Sequence, residues 1–77
     1  MSLVLKLRKI LDEIFLNATE RDEYEVQKHH TGSLAFVYHY RNGKLRSWVF
    51  DEQENLSVEC VRRRIKGRHN VRSAFKS

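Results

Sequence analysis

Apolar residues near the start of the chain recur every three or four positions. At about 100° per residue, Leu3, Val4, Leu7, Ile10, Leu11, Ile14 and Phe15 fall on one stripe, with Lys6, Arg8, Lys9, Asp12 and Glu13 around the remainder. This spacing predicts an amphipathic helix over 2–16, with Ser2 as its N-cap. Leu5 and Leu16 lie off the stripe and are candidates for a second contact, so a homodimer through this helix is one expectation. Residues 17–23 are polar and acid-rich and read as a connector, although Thr19 with Asp22 also offers a cap for a second short helix. From Tyr24 the period changes to two, and β-forming residues predict strands over 24–30, 33–41 and 44–50 in an antiparallel meander.

Arg41-Asn42-Gly43-Lys44 is the strongest local signal, because Asn-Gly supplies two residues that tolerate positive φ and closes a two-residue type I′ hairpin. The register follows: Tyr40 opposite Leu45, His39 opposite Arg46, Tyr38 opposite Ser47, Val37 opposite Trp48, Phe36 opposite Val49 and Ala35 opposite Phe50. One sheet face then carries Leu34, Phe36, Tyr38, Tyr40, Leu45 and Val49, and is the expected seat of the first helix. The other carries Val37, Trp48 and Phe50, with His39, Arg41, Lys44 and Arg46 toward the turn. After an acidic patch at Asp51-Glu52-Gln53-Glu54, Ser57 serves as an N-cap, and Leu56 with Val61 forms a hydrophobic staple. Val58, Val61 and Ile65 give helical spacing over 58–66, Gly67 is a C-terminal stop, and Asn70 caps a further turn or two with Val71, Ala74 and Phe75. The expected fold class is α+β, in a single small domain over 1–77: N-terminal helix, three-stranded meander, and a basic C-terminal helix or helix pair.

At 77 residues the chain is too short for two independent cores, which favours binding over catalysis. Fifteen Lys and Arg against ten Asp and Glu give a formal net charge of +5. The excess is not spread evenly. Through Tyr40 there are five basic and six acidic residues, and beyond it ten basic and four acidic. From Val61 onward come Arg62, Arg63, Arg64, Lys66, Arg68, Arg72 and Lys76 with no acidic residue. Because Val58, Val61 and Ile65 turn inward, Arg62, Arg63, Lys66 and part of Arg64 face out, and arginine suits bidentate phosphate or guanine contacts. Nucleic acid is the partner this implies, with a solvated helix face that aids solubility as the bland alternative. The helix start at Ser57 also aims backbone N–H groups where a phosphate can sit.

The segment Val61-Arg-Arg-Arg-Ile-Lys-Gly-Arg-His-Asn-Val-Arg-Ser-Ala-Phe resembles the helix-turn-helix tail of phage and mobile-element DNA-binding proteins, including homing-endonuclease-like ones. Val61, Arg64, Ile65, Ala74 and Phe75 match that pattern and Asn70 stands for its capping Ser. Gly67 comes one position early, His69 replaces the usual tryptophan, and the helix that would precede the recognition helix is missing. The resemblance covers about fifteen residues and implies DNA contact by the helix from Val58.

Chemistry finds little purchase. His29 and His30 are adjacent on the first predicted strand and point to opposite faces, so they do not share a metal ion, and no H-x-x-x-H pair exists. Glu20, Asp22, Glu23, Glu25 and Asp51 to Glu54 sit in connectors without the spacing of a metal site. Cys60 has no identifiable base and reads as a partly buried small residue. As the only cysteine it excludes an intrachain disulfide and points to a reducing, cytoplasmic setting. No membrane segment, cofactor or metal is expected. The expectation is therefore a non-catalytic nucleic-acid-binding protein, duplex DNA favoured over RNA, acting as a phage or plasmid regulator or recombination accessory. Arg62, Arg63, Arg64, Lys66, Arg68, Arg72 and Lys76 form its main contact, extended by Arg41, Lys44, Arg46, His39 and Trp48. Two alternatives stand beside it: a basic interaction module docking on an acidic protein, and a binder of RNA or single-stranded DNA that stacks bases on Trp48, Tyr38 and Tyr40.

Overall fold

The computed structural model describes residues 2–54 and 56–66. The element order is α1 (Leu3–Ile14), α2 (Ala18–Asp22), β1 (Tyr24–Lys28), β2 (Leu34–Arg41) and β3 (Lys44–Asp51), followed by α3 over residues 58–66. The chain is an α+β domain in which a three-stranded antiparallel sheet, ordered β1-β2-β3, lies between an N-terminal and a C-terminal helix in sequence. The expected stop at Gly67, the cap at Asn70 and the turn carrying Val71, Ala74 and Phe75 lie outside the described residues, as do Arg68, His69, Arg72 and Lys76.

Ser2 caps α1, its Oγ accepting the Leu5 N–H at 3.2 Å. Leu3, Leu7, Ile10 and Leu11 are buried along the predicted stripe, and Phe15 continues it just past the last turn. Residues 17–23 are not a plain connector. Asn17, rather than Thr19, accepts the N–H groups of Thr19 and Glu20 and starts the one-turn helix α2, which Arg21 fastens to α1 through Asp12 at 2.7 Å. Ser57 caps α3 through the Cys60 N–H at 3.1 Å, and Leu56 and Val61 are both buried, as a staple requires.

Asn42 and Gly43 take φ of 54° and 75°, and β2 pairs with β3 in the register that the Asn-Gly turn dictates. The face assignment is reversed. The helices cover the face carrying Ala35, Val37, Trp48 and Phe50, all buried in one core with α1, Leu56, Val61 and Ile65. The face of Leu34, Phe36, Tyr38, Tyr40, Leu45 and Val49, expected to seat α1, is the outer one. The cause lies in β1. Tyr24, Val26 and Lys28 pair with His39, Val37 and Ala35, so β1 adds its apolar residues to the helix face and Glu25 and Gln27 to the other. β1 also stops at Lys28, so His29 and His30 belong to a five-residue turn, where their rings lie 4.0 Å apart instead of on opposite faces.

Arginine side chains cover outward carbonyls on both sheet edges, two on β1 and one on β3. In the observed register, the carbonyls of Tyr24 and Val26 on β1 and of Val49 on β3 point away from the sheet. The Arg21 guanidinium donates to Tyr24 O at 3.1 Å, that of Arg8 reaches Val26 O at 3.5 Å, and that of Arg64 donates to Val49 O at 2.8 Å. A cation on an edge carbonyl obstructs the addition of a further strand.

Candidate nucleic-acid interface

The hairpin gathers four of the predicted contact residues. His39 and Arg41 on β2 and Lys44 and Arg46 on β3 alternate onto one face and pair across the strands, so their side chains converge beside the turn. With Asn42 they line an open cleft of about 260 Å³ on the helix side of the sheet. Arg41 and Lys44 are exposed at its mouth, and His39 and Arg46 are half-buried behind them. Such a setting suits an anionic oxygen, since several donors converge and water already reaches the site.

The back of the cleft is fixed by ring stacking. Phe15 stacks on Tyr24 at 4.3 Å between centroids, and Tyr24 lies nearly parallel to His39 at 4.1 Å. The His39 Nε2–H donates to Glu23 Oε1 at 3.0 Å, the carboxylate being the acceptor. The imidazole is thus oriented by a stack and a hydrogen bond, while Arg46 lies opposite it on β3, as the Asn-Gly register requires. Burial pushes the Tyr24 phenol up, with Glu20 and Glu23 adding to the effect and Arg41 and Arg46 opposing it, so the phenol stays protonated near neutrality. Arg41 also borders a hollow with Glu20 and Glu23, which supplies a local acidic rim.

The basic residues of α3 have divergent fates. Arg62 pairs with Glu59 one turn back at 3.2 Å, an exposed contact that holds weakly against a competing anion. Arg63 is exposed. The Lys66 ammonium lies 5.0 Å from the Phe15 ring centroid, so the column Lys66, Phe15, Tyr24 and His39 runs from the end of α3 to the hairpin cleft. Arg64 turns back: it sits 4.2 Å over Phe50, pairs with Glu54 at 3.0 Å and donates to Val49 O. Trp48 is 7% exposed in the core beneath the sheet's helix layer and offers no face to a base. At the start of α3, Ser57 borders a groove lined also by Lys6, Lys9, Ile10 and Glu13; the two lysines belong to the solvated face of α1.

Arg64 is therefore expected to stabilise the fold rather than contact a ligand. Arg64→Ala removes a cation–π contact and the edge bond, together about 1–2 kcal/mol, the exposed pair with Glu54 adding little. A urea melt will register that loss, and the salt dependence of nucleic-acid binding will not change; a slope lowered by one unit would make Arg64 a phosphate contact.

Among the described residues no group of three or more His, Cys, Asp or Glu is placed to hold a metal ion, and no helix is long and apolar enough to cross a membrane. Fold and site together define a small α+β domain with a helix layer on one face of a three-stranded sheet and a cationic cleft at the hairpin end. Comparison with protein-family models, curated proteins and solved structures finds no significant match to this chain.

Proposed function

We propose that the protein binds nucleic acid through its helix side, with duplex DNA as the preferred form and no catalytic step. The observation that carries this reading is the cleft in which His39, Arg41, Lys44 and Arg46 converge, joined through the ring column to Lys66 and the outward face of α3. Charge restricts the approach, since the outer sheet face carries no Lys or Arg on its strands while the helix side carries the hairpin and α3 cations. Arg41, Lys44, Arg46, Arg62, Arg63 and Lys66 make the contacts, and Arg68, Arg72 and Lys76 add to the same charge along the chain. The preference for DNA rests on the resemblance of the segment from Val61 to phage and mobile-element helix-turn-helix tails, which also suggests a regulator or recombination accessory.

The test is a titration with duplex DNA, single-stranded DNA and RNA at two ionic strengths. Binding tightest to duplex DNA is expected, with log K falling linearly against log salt at about 0.9 per phosphate neutralised. Absence of binding to all three in dilute buffer would reject the reading, and tighter binding to a single strand would replace duplex DNA by a stacking mode.

A further inference from the structure

Independently of the nucleic-acid reading, we propose that the outer sheet face is the interface of a homodimer, two copies stacking face to face. This face presents Leu34, Phe36, Tyr38, Tyr40, Leu45 and Val49 side by side, with Tyr40 60%, Leu45 63% and Val49 42% exposed. A patch of contiguous large apolar side chains is unusual on a monomer surface and marks an interaction site.

The occupant is argued from charge, area and the edges. No Lys or Arg of the strands points to this face, whose only charged strand residues are Glu25 and Asp51. In a chain of net charge +5 it is the surface where two copies meet with least repulsion, and it is the wrong sign for a polyanion. Three strands of up to eight residues, at about 3.4 Å per residue and 4.8 Å between strands, give with side-chain relief roughly 600 Å² on each copy. That is the low end for a specific interface and predicts a dimer of about 1–100 μM affinity. Edge-to-edge pairing is hindered where Arg8 and Arg21 cover two outward carbonyls of β1 and Arg64 covers one of β3.

Two copies stacked on this surface obey two-fold symmetry and turn both helix layers, with both hairpin clefts, outward.

Sedimentation velocity of the full chain across about 1–500 μM is the test. A concentration-dependent monomer–dimer equilibrium is expected, and Leu45→Glu should weaken it at least about tenfold by placing an unpaired charge in the interface. Because Leu45 is exposed in the monomer, its circular dichroism should be unchanged. A monomer at every concentration or a dimer indifferent to Leu45→Glu would overturn the proposal. So would a monomer that binds single-stranded RNA and loses it on Tyr38→Ala and Tyr40→Ala.

Discussion

Phe50→Ala should lower stability by about 3–5 kcal/mol, and Val49→Ala, one residue earlier on the same strand, by less than about 1 kcal/mol. The contrast follows from which face the helices chose. Phe50 is 1% exposed at the centre of the core, and its ring also seats the Arg64 guanidinium at 4.2 Å. Removing it leaves a cavity between β3 and the helix layer and takes away one of the contacts that hold Arg64 over the edge. Val49 points to the outer face, so truncating it at low protein concentration exposes little that was hidden. A domain of this length has roughly 4–12 kcal/mol in all, so Phe50→Ala takes much of the margin. The measurement is a urea transition, in which the midpoint should fall with the slope unchanged. Equal losses at the two positions would mean that both sheet faces are buried.

Whether that contrast could be foreseen from sequence depends on the element. The stripe of α1 and the staple at Leu56 and Val61 were legible because each is a local pattern with one physical meaning: apolar groups at helical spacing must face the same way. The β2–β3 register was legible because Asn42 and Gly43 accept positive φ and leave the chain one way to turn. The choice of face was not. On β2 and β3 alone the outer face is the more apolar, with Leu34, Phe36, Tyr38, Tyr40, Leu45 and Val49 against Ala35, Val37, Trp48 and Phe50. What decides is the third strand, where Val26 lies beside Val37 and Glu25 beside Tyr38. The signal existed in the alternation Tyr-Glu-Val-Gln-Lys, but using it needs the β1–β2 register, and the turn over 29–33 carries no motif as specific as Asn-Gly. The short helix α2 is legible only as an alternative to a connector, and with its cap at Thr19, for a related reason: five residues have little periodicity, and nothing local marks Asn17 as the cap.

The site was legible in part and for similar causes. Alternation alone brought His39, Arg41, Lys44 and Arg46 to one face, and the cleft follows from it. Helical spacing placed Arg62, Arg63 and Lys66 outward, yet it is silent on long side chains that fold back. Arg64 reaches Phe50 and Val49 because a guanidinium on a three-carbon stem can cover an aromatic face and an edge carbonyl at once. The stack of Phe15, Tyr24 and His39 joins residues far apart in sequence, and no local pattern announces it.

Replacing Arg41, Lys44, Arg46, Arg62, Arg63 and Lys66 together by alanine should lower the slope of log K against log salt for duplex DNA binding by about five units. Each phosphate contact releases counterions and contributes about 0.9 to the slope of log K against log salt, so six contacts amount to about five units. If all six are made, they account for about 10³-fold of the affinity the wild-type chain loses between 50 and 200 mM salt, and the sixfold variant should lose that much less. The exposed Arg62–Glu59 pair does not protect Arg62 from this use, because an i,i+3 pair is worth at most about 0.5 kcal/mol and a phosphate in a groove exceeds it. Splitting the set assigns the surface. The hairpin triple Arg41, Lys44 and Arg46 and the α3 triple Arg62, Arg63 and Lys66 should each flatten the slope by about three units. A triple that leaves the slope untouched lies off the interface. If it is the α3 triple, the polyanion rests on the hairpin cleft alone, and the resemblance to a recognition helix loses its physical content. If it is the hairpin triple, the cleft at His39 is only a solvated turn, and the ring column from Lys66 is a structural strut with no ligand at its far end.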